Sequence, residues 1–150
     1  MKSTLALAIA LACGLLATAS IAQTNKAPTL AAEFSGGTFR RTDPSPSTLM
    51  IAKRGANWRM ALTGGGILRG ENSAADCSLL AEGQLNNGQI QAKLIPFKND
   101  DMEIDADDLK SNPGVVVVKL TPTGAVVTQA TVDPFCGVGS MLTGTYRKVR

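Results

Sequence analysis

The stretch CSLLAEGQLNNGQIQAKLIPF, Cys77 to Phe97, constrains the fold more than any other. Asn87-Gly88 stands between two runs of alternating character. An Asn-Gly pair is the preferred two-residue type I′ turn, because both central positions need positive φ. Folding the chain there sets Leu85 against Ile90, Gly83 against Ala92 and Ala81 against Leu94. On the other face Gln84 meets Gln91 and Glu82 meets Lys93. That register sorts apolar from polar, as a half-buried hairpin requires. It also turns Cys77 to the side of Leu79, Ala81 and Leu85, toward a core.

The same pattern recurs along the chain. Thr48–Arg54 and Asn57–Thr63 flank Gly55-Ala56, and in the second run Trp58, Met60 and Leu62 point one way while Arg59 and Ala61 point the other. Gly114–Thr121 and Ala125–Val132 form a second hairpin through Pro122-Thr123-Gly124, its valines favouring extended backbone. A last strand falls within Ser140–Val149, and Gly64-Gly65-Gly66 reads as a turn, as does Gly70. No window carries a helical stripe, although Asp105–Asn112 has room for one short turn. About eight short strands predict an all-β domain over residues 33–150, a small antiparallel β-barrel or sandwich.

The first 22 residues read as a secretory signal peptide. Met1-Lys2 gives the positive start, Leu5 to Leu16 the apolar region, and Ser20-Ile21-Ala22 the small residues before a cut after Ala22. The apolar run is shorter than the roughly 20 residues of a membrane span, so the mature chain is expected to carry none. Lipidation at Cys13 is an alternative, but Ala10 stands where a lipobox usually has a larger aliphatic residue. Residues 23–32 form a flexible lead-in. Processing leaves two cysteines, Cys77 and Cys136, and an even count in an exported chain predicts one structural disulfide. The expected location is periplasmic or secreted.

Composition excludes much chemistry. The chain has no histidine, which removes the commonest general base, Ser-His and Cys-His dyads, and most zinc sites. Gly137–Met141 around Ser140 is not a nucleophile elbow, and the glycine triplet lacks the Lys-Ser/Thr of a phosphate loop. Paired carboxylates for glycoside chemistry would need a groove that so aromatic-poor a chain does not suggest. Removing Lys2 lowers the net charge from +3 to +2, which makes neither nucleic acid nor an anionic membrane an obvious partner. The expectation is a non-enzymatic protein.

The acidic segment KNDDMEIDADDLK, Lys98 to Lys110, is the leading candidate site, with Asp100, Asp101, Glu103, Asp105, Asp107 and Asp108. Read as calcium ligands, these residues fail the EF-hand pattern, because Ala106 stands where the loop glycine belongs. A looser calcium site remains if Asp101, Glu103, Asp105 and Asp107 share one face of an extended loop. Read as a docking surface, the segment would steer a basic protein partner. Read plainly, it is a solvated loop. Exported, all-β and stapled once, the chain is similar in outline to small bacterial barrels that inhibit lysozymes, with no diagnostic motif behind the likeness. The preferred expectation is docking, with inhibition of a cationic lytic enzyme such as lysozyme as its sharpest form.

Two further readings accompany it. Arg40, Arg41, Lys53 and Arg54 are candidates for facing an anionic ligand, or else outward strand and turn charges. A barrel could also enclose a small apolar ligand among Leu49, Ile51, Trp58, Met60, Leu62, Leu94 and Ile95, so small-ligand or metal binding is the alternative function. A packed interior would favour surface binding.

Overall fold

The structure, a computed structural model, describes residues 34–66, 76–100, 102–137 and 139–150. The signal segment, the lead-in, Cys13, Gly70 and Asp101 lie outside the described residues. In chain order the elements are β1 (Gly37–Arg41), β2 (Ser47–Arg54), β3 (Asn57–Gly65), β4 (Asp76–Asn86) and β5 (Gln89–Leu94). A small ribbon of β6 (Phe97–Lys98) and β7 (Glu103–Ile104) follows, then helix α1 (Ala106–Ser111), β8 (Val115–Thr121), β9 (Gly124–Thr131) and β10 (Gly144–Lys148). Eight strands close an antiparallel barrel in the order β1-β10-β9-β8-β5-β4-β3-β2, and β6 pairs only with β7.

The first hairpin has the expected register, with Leu85 opposite Ile90, Gly83 opposite Ala92 and Ala81 opposite Leu94. Asn87 and Gly88 take the positive φ values of 51° and 76° that the turn requires. Alternate residues fill the interior: Phe39, Leu49, Ile51, Met60, Leu62, Leu79, Ile90, Val116, Val118, Val127 and Tyr146 are buried in one cluster. Eight strands leave an interior that side chains can just fill, and here they fill it. Thr128 is an extra residue in β9, between the pairs Val117↔Gln129 and Val118↔Val127, and its Oγ1 donates to the Val117 carbonyl. Without that insertion Val116 and Val118 could not share the inner face with both Val127 and Ala130.

The outer wall carries Arg40, Arg59, Glu82, Lys93, Lys119 and Arg147, the reverse polarity of a lipid-embedded barrel. No helix among the described residues is long and apolar enough to cross a membrane.

The glycine triplet differs from its reading as a turn. Gly64 and Gly65 belong to β3, and Gly66 bridges to Ser140. They are glycines because space is short: a Cβ on Gly64 would collide with Ser47 Oγ, and one on Gly66 with the Gly139 carbonyl.

The two barrel ends are unlike. At one, Gly55-Ala56, Asn87-Gly88 and Pro122-Thr123 join strands by two residues each. There Phe34 packs on Trp58 and Phe39, with ring centroids 5.0 and 6.2 Å apart, and plugs the mouth. At the other end lie all the long connections, 42–46, 66–75, 95–114 and 132–143. A disulfide joins Cys77, at the start of β4, to Cys136 in the last of these, with the Cα atoms 4.8 Å apart. It ties the segment leading into the closing strand to the barrel wall.

Candidate functional site

The loop end is built around Arg41. Arg41 follows Phe39 in the inward alternation of β1, so its side chain enters the barrel mouth and is 5% exposed. Its Nε donates to the Ser45 carbonyl, and Nη2 donates to Ser45 Oγ at 3.1 Å, Ser47 Oγ at 2.8 Å and the Met141 carbonyl. Nη1 donates to the Thr143 carbonyl. The guanidinium also lies 5.4 Å from the Tyr146 ring centroid. One side chain thus pins the β1–β2 loop to the segment before β10, and every partner is a neutral oxygen. Gly144, at φ 134°, accommodates it, since a Cβ there would lie 3.3 Å from Arg41 Cδ. Tyr146 completes the cluster by donating its hydroxyl to the Leu142 carbonyl at 2.7 Å. Burial raises the Tyr146 phenol above its ordinary 10.0, with Arg41 and Ser47 offsetting part of the shift.

From this platform the acidic segment leaves the wall after β5 and returns at β8 as an ordered appendage. Phe97↔Ile104 and Lys98↔Glu103 pair in the ribbon. Ile104 is buried, while Phe97, Met102 and Leu109 pack at the edge of the core. Asp105 caps α1, its Oδ1 accepting from the amides of Asp107 at 2.7 Å and Asp108 at 2.8 Å. Asp108 returns the bond to the Asp105 amide, which completes a capping box. The two backbone donors hold the Asp105 carboxyl below its ordinary 3.8. Glu103 pairs with Lys98 and Asp107 with Lys110.

The candidate acids therefore divide by use. Asp100, Glu103, Asp105, Asp107 and Asp108 are all exposed, and Asp101 lies outside the described residues. The extended face suggested for Asp101, Glu103, Asp105 and Asp107 does not form beyond Glu103, because the cap at Asp105 commits the chain to a helix. Among the described residues no three His, Cys, Asp or Glu side chains are grouped as metal ligands. A cleft of about 600 Å³ lies between the appendage and the wall, lined by Pro46, Thr63, Ser78, Asn99 and Met102.

The four candidate anion-facing residues are separated. Arg41 is the internal staple just described, because its register turns it inward rather than outward. Arg40 stands on the outer wall, while Lys53 and Arg54 are exposed at the turn end. The barrel thus sorts charge along its axis. Among the described carboxylates, Asp43, Asp100, Glu103, Asp105, Asp107, Asp108 and Asp133 all lie at the loop end. Glu82 alone is on the wall, held by Arg59 at 3.1 Å and Asn57 at 3.1 Å. The Asn57 and Arg59 hydrogen bonds lower its carboxyl below the ordinary 4.5.

Arg41, Ser45, Ser47 and Tyr146 were not singled out together from sequence. The signal was the i, i+2 spacing of Arg41 from Phe39, which places both on one face. No protein-family model, curated protein or solved structure matches the chain.

Proposed function

We propose that the chain is an exported, non-enzymatic binding protein that docks a basic protein on its loop end. The sharpest form of this reading is inhibition of a cationic lytic enzyme such as lysozyme. The observation that carries it is the gathering of carboxylates at that end on an ordered, capped appendage. Acids fixed in position create a directional field, which speeds encounter and selects orientation more than it adds affinity. The packed interior also favours a surface partner over a small ligand inside the barrel. The disulfide and the N-terminal apolar run support an oxidising compartment outside the cytoplasm.

The test must separate charge from folding. Asp105 and Asp108 hold α1 together, so the informative variant is Asp100→Asn/Glu103→Gln/Asp107→Asn. Association of oxidised protein with lysozyme, followed by stopped flow, should slow several-fold at low salt in this variant. The difference should vanish at high salt, where the field is screened. Equal association rates for variant and parent would remove electrostatic steering from the proposal.

A further inference from the structure

The turn end carries the opposite charge. Lys53 and Arg54 end β2, Lys119 lies near the end of β8, Arg147 and Lys148 end β10, and Arg150 follows; all are exposed. Among the described residues the acidic side chain nearest this end is Glu82, which bonds Asn57 beside the Gly55-Ala56 turn and feels the charge of Arg54, and none of the six cations makes an ion pair. Lys53 and Lys148 occupy inward positions of their strands, two residues beyond Ile51 and Tyr146. They stand at the mouth directly opposite Trp58 and Phe39 of the plug, and both side chains are exposed. Arg40 lies directly opposite Arg147, a like-charge pair that costs stability and continues the basic surface up the wall.

We propose that this end is a peripheral membrane-binding face, which sets the barrel on anionic lipid headgroups with its loop end directed outward. Two observations converge on that partner. First, the face is of one sign, complementary to an anionic surface. Second, its strand connections are all two-residue turns, which suits a plane. The field of a charged bilayer falls away within roughly 10 Å, so cations act together only when held at one depth. Exposed Val149, between Lys148 and Arg150, adds an apolar contact. This orientation is independent of which partner the loop end takes.

The experiment is vesicle co-sedimentation of oxidised residues 23–150, which contain every strand of the closed barrel. Vesicles of phosphatidylcholine alone are compared with vesicles that also contain phosphatidylglycerol. The expected result is salt-sensitive pelleting with the anionic vesicles only. Lys53→Gln/Arg54→Gln/Lys148→Gln/Arg150→Gln should lower the partition coefficient on the order of a thousandfold, with its circular dichroism unchanged. The acid-end variant Asp100→Asn/Glu103→Gln/Asp107→Asn should partition within about twofold of the parent, because those residues face away. Any of three outcomes overturns the proposal: no pelleting of the parent, a gain in the acid-end variant as large as the basic-end loss, or binding to heparin without binding to vesicles. The second would make net charge the cause, and the third a soluble polyanion the partner.

Discussion

Arg41 shows what a single residue does when the barrel's register overrides its chemistry. A buried guanidinium with no carboxylate beside it persists only because its donors meet fixed neutral acceptors. Arg41→Met would leave the Ser45, Met141 and Thr143 carbonyls short of donors and should cost about 3 kcal/mol in denaturant unfolding. Lysine, a point charge without the planar fork, should recover only part of that loss. Tyr146 makes a second prediction, and a clean one, since it is the chain's single tyrosine. Its folded pKa lies above the unfolded 10.0, so its contribution is complete below pH 10 and is lost as pH rises through the folded value. Ultraviolet titration of the phenol should show the raised value directly. Tyr146→Phe should remove that alkaline loss of stability while costing about 1 kcal/mol at neutral pH. None of this network was legible residue by residue. Two adjacent arginines look alike in a sequence, and only strand alternation turns one inward and leaves the other in water.

At the scale of elements, legibility followed periodicity. The Cys77–Leu94 hairpin was readable pair by pair because its turn fixes the register and its faces differ. The appendage was not, because strands of two residues have no period and a helix of six has no stripe. Its order is written instead in Asp105 and Asp108, which look like two more acids in an acidic run. Asp105→Ala should raise amide exchange several-fold across residues 107–112. Thermal unfolding of the barrel should stay unchanged, because α1 contains no fully buried residue. The cap also responds to acid. With its folded pKa depressed, its contribution is present above pH 3.8 and is lost as pH falls through the lower folded value. The appendage should therefore loosen before the barrel does.

For the whole molecule the decisive property is which residues closure brings together. The acidic face was contiguous in sequence. The basic face came in fragments, Lys53-Arg54, Lys119 and Arg147 to Arg150, which meet only once the barrel is formed. The disulfide acts at the same scale, closing a loop with a sequence separation of 59. Cys77→Ser/Cys136→Ser should lower stability by about 4 kcal/mol in the chain-entropy account. The far-ultraviolet spectrum should be retained, since every barrel strand keeps its neighbours. Closure depends most on the pairing of β1 with β10, strands from opposite ends of the described chain. On the proposed export route, a polypeptide emerging N-terminus first exposes β1 long before Gly144–Lys148 has emerged. During that interval β1 has one unsatisfied edge, and β9 gains another as it forms, each open to pairing with a neighbouring chain. Barrel closure then waits on the final short strand, however fast the hairpins form.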